Sequence, residues 1–155
     1  MKHPKYWSRF FLICSILTAG IIFYFSSQKG VVSQSLSDDI TKALASFFRP
    51  DLRELSSKDR HSYLELLSTL VRKNAHFLEF ALLGFNLMGF MRFRNVKMPR
   101  LHCQLRAWGI ATVYAVTDEL HQLFINERAA MVTDVLIDSA GALMGTVVMA
   151  VFLWL

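Results

Sequence analysis

The chain has 155 residues, 54% of them hydrophobic, only 19% charged, with a formal net charge of +5 and a mean hydropathy of +0.35. A soluble domain carries about a quarter charged residues, so the composition argues against an ordinary cytosolic enzyme. The length fits one domain and excludes a twelve-span transporter, and 13 Phe, 3 Trp and 4 Tyr exclude a disordered chain.

In chain order, the first predicted element is an apolar run over residues 10–26, preceded by Lys2, Lys5 and Arg9. About 20 mostly apolar residues cross a bilayer core. No small-x-small cleavage site follows, so the run reads as an uncleaved first span rather than a signal peptide. Residues 35–71 read as an amphipathic segment lying against the membrane surface. Within it, Leu36, Ile40, Leu44 and Phe47 repeat at helical spacing, with Ser35 or Ser37 as N-cap. Pro50 ends that helix, and a second amphipathic helix runs over 58–71. Three further spans are predicted at 74–91, 107–125 and 132–155, each carrying ionisable residues, and all four are apolar enough to score on hydropathy. The expected fold is all-α: a single membrane domain, residues 1–155, with four transmembrane helices in a bundle. Cys14 and Cys103 form no CxxC pair, so neither a disulfide framework nor a zinc site is implied.

Orientation follows the density of Lys and Arg in the loops. The N-terminal tail has three in nine residues, and 92–106 has Arg92, Arg94, Lys97, Arg100 and Arg106 with no acid. Eight basic residues in 27–73 are diluted over a long loop. The reading places both termini in the cytoplasm and residues 27–73 outside. It also explains the basic 92–106 loop without nucleic acid, which is not an expected partner.

Charged groups inside a bilayer are costly and mark function or buried pairs. Arg72, His76, Glu79, Leu83 and Asn86 share one helical face; so do Asp118, His121 and Gln122; so do Asp134, Asp138, Gly141 and Gly145. At 1.5 Å per residue, His76, Glu79, Asp118, His121 and Asp138 fall within roughly 10 Å of one membrane surface. The expectation is a single polar site there, with Arg128 above it. Glu119 points about 100° from Asp118, toward another helix or the interface. Asn86 lies deeper and reads as a helix–helix hydrogen bond. Gly141 and Gly145, four apart, predict close helix packing below the site.

The same segments resemble the VanZ-like membrane proteins. They are Phe25-Ser26-Ser27-Gln28, Arg72-Lys73-Asn74-Ala75-His76-Phe77-Leu78-Glu79-Phe80, Thr117-Asp118-Glu119-Leu120-His121-Gln122-Leu123-Phe124 and Asp134-Val135-Leu136-Ile137-Asp138-Ser139-Ala140-Gly141. The family's Pro-Gly-Arg turn is here Asn126-Glu127-Arg128. The resemblance implies a small multi-pass protein of the bacterial cell membrane. It also implies an association with low-level resistance to teicoplanin, a lipid-tailed glycopeptide acting on cell-wall precursors. It supplies no reaction.

Three functions stay open. The site binds an anionic lipid-linked group, a cell-wall precursor or lipoglycopeptide among the partners, with Arg72 and Arg128 on phosphate and His76, Asp118, His121, Glu119, Gln122, Asp134 and Asp138 around it. Alternatively the His–carboxylate pairs His76–Glu79 and Asp118–His121 serve an intramembrane acid–base enzyme acting on a lipid headgroup. No cofactor is expected, and a divalent metal on His76, Glu79, His121 and Asp138 is a variant of that enzyme. Finally, pairs such as Arg72–Glu79 and Asp118–Arg128 only fix helix packing.

Overall fold

The protein is seen in a computed structural model that describes residues 4–28, 30–125 and 131–154, the side chains of 30–37, 39 and 53 excepted. The described residues are all helical in their regular structure. The order is α1 (Pro4–Ser26), α2 (Gly30–Phe48), a single 3₁₀ turn (Pro50–Arg53), α3 (Ser57–Arg94), α4 (Arg100–Gln122) and α5 (Val132–Phe152).

Several boundaries correct the sequence reading. Residues 58–71 and the span 74–91 are one continuous 38-residue helix, α3. The change in composition near residue 73 is not a change in backbone preference: no Gly or Pro interrupts 57–83, and Arg, Lys, Asn and Ala carry the helix across. Its start is capped by Ser56, whose Oγ accepts from the Asp59 backbone N–H at 3.2 Å. α2 begins at Gly30, so Ser35 and Ser37 lie inside it rather than at its cap. α4 begins at Arg100, directly after Pro99, and ends at Gln122, leaving 123–125 as a turn. Among the described residues, only α1 and α5 are by themselves long and apolar enough to cross a membrane. The polar residues of α3 and α4 keep those two helices below that mark, contrary to the expectation that hydropathy alone marks four spans.

α3 and α5 share the largest interface, followed by α1 with α3. Glycine makes the first of these possible. A Cβ on Gly141 would collide with the Phe77 carbonyl oxygen, one on Gly145 with the Ala81 oxygen, and one on Gly84 with the Ala142 oxygen. The two backbones therefore touch, as the Gly141–Gly145 spacing predicts. α4 approaches through a ladder of small residues, Cys103, Ala107, Ala111 and Ala115, all fully buried. Trp108 Nε1 donates to the Ser139 carbonyl at 3.1 Å, locking α4 to α5. Asn86 Nδ2 donates to Thr18 Oγ1 at 3.3 Å, the helix–helix bond expected of it. Phe93 is buried and Phe85 and Phe90 pack against the core.

Candidate functional site

Four helices present polar side chains at one end of the bundle. α1 contributes its last residue, Ser26, fully buried. Its hydroxyl donates to Asp118 Oδ2 at 2.7 Å. Gln122, one turn beyond Asp118, donates from Nε2 to Ser26 Oγ at 2.9 Å and to Asp118 Oδ2 at 3.1 Å. These three residues pin the end of α1 to the end of α4. The His121 ring stacks on Phe23, centroids 4.8 Å apart. Glu119 is buried and accepts the Met131 backbone N–H at 3.0 Å. It thus points away from Asp118, as its position on the helix requires, and anchors the residue that starts α5.

On α5, Asp134 lies in the first turn, where a carboxylate suits the positive end of the helix dipole. It pairs with Lys73 Nζ of α3 at 2.7 Å, both groups about a third exposed. One turn deeper, Asp138 is only 1% exposed. Glu119, Asp118, Asp134 and Glu79 all act on it electrostatically, and Asp118 acts on Glu79 in the same way. Carboxylates of α3, α4 and α5 therefore converge around Asp138. Neither Asp138 oxygen has a hydrogen-bond partner among the described residues, nor do Asp118 Oδ1 and His121 Nδ1. Buried polar groups are almost always paired, so an open carboxylate at this depth is a departure.

The structure gathers part of the expected set: Glu79, Asp118, Glu119 and Asp134 around Asp138, with Gln122 on Asp118, whereas His121 stacks on Phe23. His76 and Glu79 are half-buried on the α3 face that deepens to Leu83 and Asn86. Arg72 is exposed at the outer end of that face, and no Arg72–Glu79 ion pair is present among the described residues. Arg128, with the rest of 126–130, lies outside the described residues. Among the described residues no three His, Cys, Asp or Glu side chains form a metal-holding group. Sequence reasoning assigned no role to Ser26, Lys73 and Phe23. Ser26 was findable: it continues the stripe Ser8, Ser15, Thr18 that α1 buries inside an otherwise apolar run.

The arrangement is acidic within and basic only at its edge. Among the described residues its unpartnered atoms include the carboxylate oxygens of Asp138, Oδ1 of Asp118 and Nδ1 of His121, groups able to make hydrogen bonds and exchange protons. No curated protein and no solved structure matches the chain. One family model does, that of VanZ/LLP1, over residues 11–153. With nearly its whole length matched, and apolar helices of spanning length at both ends of the match, the chain belongs to the VanZ/LLP1 family of membrane proteins.

Proposed function

We propose that the protein crosses the bacterial cell membrane four times, with both termini cytoplasmic, and holds an anionic lipid-linked group in the polar end of the bundle beneath the outer headgroups. α1, α4 and α5 turn most of their large apolar residues outward and many small or polar ones inward. α1 exposes Ile13, Ile16 and Leu17 while burying Ser8, Ser15 and Thr18; α4 exposes Leu105, Ile110 and Val113 over its alanine ladder; α5 exposes Val147 and Val148 over Gly141 and Gly145. Water would select the opposite pattern, and lipid selects this one. α3 is about 57 Å long at 1.5 Å per residue, against a hydrocarbon core of about 30 Å. Its first turns therefore stand outside, together with α2. The basic 92–106 segment supports a cytoplasmic turn between α3 and α4.

The observation that carries the binding reading is Asp138, buried with neither oxygen partnered among the described residues. A network that only fixes packing satisfies its members. This one keeps acceptors open, which suits a ligand rich in hydroxyl or amide donors. Arg72 and Arg128 take its phosphate at the rim. His76, His121 and Asp118 hydrogen-bond the group below it, while Lys73, Glu119 and Gln122 hold the frame. A lipid-linked cell-wall precursor has this chemistry, and a lipid-tailed glycopeptide meets such molecules at the same depth.

Mass spectrometry of lipids retained by the purified protein tests this. A phosphate-bearing lipid is expected on the wild type and lost in Arg72→Ala. Retention in both Arg72→Ala and His121→Ala, with resistance tracking only protein abundance, overturns binding in favour of packing. A second reading, an acid–base enzyme acting on a headgroup, is favoured by the Ser26 hydroxyl lying 2.7 Å from Asp118. It predicts turnover of an added lipid that Ser26→Ala abolishes while retention persists.

A further inference from the structure

All 12 acidic residues of the chain fall in two stretches, 38–79 and 118–138, and none lies in 80–117. That gap holds Arg92, Arg94, Lys97, Arg100 and Arg106. It covers the end of α3 and most of α4, at the opposite end of the bundle from Asp138. Neither helix supplies a carboxylate side chain there to meet these charges.

Two of the arginines converge. Arg92, near the end of α3, donates from Nη1 to the Val96 carbonyl at 2.7 Å, which fixes its side chain. Arg106 stands six residues into α4. Both act electrostatically on the Cys103 thiol, which lies 3.8 Å from the Met91 carbonyl oxygen. Two cations flanking one point repel, and an anion between them turns repulsion into attraction. Arg106 is exposed and forms no ion pair among the described residues. Its neighbours on the surface of α4 are Leu105, Ile110 and Val113, all exposed. An arginine at the edge of such an apolar face is costly in lipid until its charge meets water or an anion.

The same arginine heads a groove. Met91 of α3 and Arg106, Gly109, Ile110 and Val113 of α4 line a depression of about 440 Å³, apolar below the guanidinium. From Arg106 to Val113 it follows α4 for about 10 Å. Gly109 keeps it open. A Cβ on Gly84, Gly141 or Gly145 would strike a neighbouring backbone, whereas one on Gly109 would meet nothing within 4 Å. Glycine weakens a helix relative to alanine, and here no close helix contact offsets that. Cations at the mouth and an apolar trough below match an anion that carries a hydrocarbon tail. Basic recesses between helices are where acidic lipid headgroups lodge.

We propose that the α3–α4 groove holds an acidic phospholipid, its phosphate between Arg92 and Arg106 and one acyl chain along Gly109, Ile110 and Val113 against Met91. Arginine suits the headgroup because its fork of donors takes two phosphate oxygens at once. The inference rests on the reading of the chain as a membrane-spanning bundle. It does not rest on the lipid-linked group at the polar end, with which it shares no residue.

The test is photolabelling of the full-length protein in nanodiscs of phosphatidylglycerol and phosphatidylcholine in equal parts, with a diazirine on the acyl chain of one lipid at a time. Labelled peptides are mapped by mass spectrometry, and the exposed Ile13, Ile16 and Leu17 of α1 report bulk lipid. Phosphatidylglycerol should label Met91 and 106–113 about fivefold more than phosphatidylcholine does, the share of one basic contact, with no such excess on α1. Arg106→Gln should bring the groove to the α1 value. Gly109→Leu should lower groove labelling by both lipids and leave the melting temperature unchanged or raised, since its side chain enters open space. Arg72→Ala, at the other end, should change none of this. Labelling of α1 without an excess at the groove, or an excess that survives Arg106→Gln, overturns this proposal alone. A groove that neither lipid labels, in a protein that cross-links as a dimer, overturns it in favour of a second copy of the chain. No labelling at either place overturns the membrane reading and this proposal with it.

Discussion

The two ends of the bundle are joined by different forces. At one end, α1 and α3 meet through aromatic rings. Phe11 and Phe93 stack with centroids 5.6 Å apart and planes within 6°, Trp7 lies against both, and Gly89 leaves room for Phe11 and Met149. At the other end, the contacts are hydrogen bonds and charges: Ser26 with Asp118 and Gln122, Lys73 with Asp134, and Glu119 with the start of α5. At the aromatic end the stacked pair Phe11 and Phe93 is buried. The polar end keeps open acceptors on Asp138 and Asp118. Stability belongs to the middle and the aromatic end, whereas the polar end gives up hydrogen bonds that a purely structural design would make. Sites adapted for function commonly show this exchange.

Substitutions sharpen the comparison. The largest effect belongs between the ends, where Gly145→Leu drives a side chain into the Ala81 carbonyl. Overpacking against backbone costs on the order of 3 kcal/mol, and the variant should be lost from the membrane fraction. At the aromatic end, Phe93→Ala opens a cavity beside Phe11 and Trp7 and should cost about 2–3 kcal/mol, since ring truncations run about 3–5 kcal/mol in water and less where lipid replaces it. Thermal melts in detergent read this directly. At the polar end, Ser26→Ala removes one donor and one acceptor and should cost about 1 kcal/mol. The smallest effect is Lys73→Met. Its bond to Asp134 is part-exposed and screened, so the loss should be about 0.5 kcal/mol and should vanish in high salt. A larger loss for Lys73→Met than for Phe93→Ala would reverse the account of the two ends.

The sequence made much of the polar end legible because helical periodicity sorts side chains by face and depth before any partner is known. His76, Glu79, Asp118, His121 and Asp138 each fall on a computable face, and the structure brings their helices together there. Pairings were less legible. Lys73 is a neighbour of Arg72 in the chain, and only the crossing of α3 with α5 decides that Lys73, not Arg72, meets an acid. The continuity of α3 was hidden for a different reason. Hydropathy changes sharply near residue 73 while helix propensity does not, so composition suggested a joint that the backbone lacks. Thr41 and Ser68 carry no periodic signal; they line a cleft that exists only because α2 folds back along α3.

The most direct test of the central claim compares wild type with Asp138→Asn, measuring retained lipid by native mass spectrometry and the melting temperature on the same sample. Replacing a buried carboxylate that has no partner among the described residues with a neutral side chain of the same shape relieves its burial among four other acids. The account predicts a melting temperature unchanged or raised, with the phosphate-bearing adduct lost. A lowered melting temperature with the adduct retained would contradict it, and would make Asp138 part of the scaffold rather than of the site.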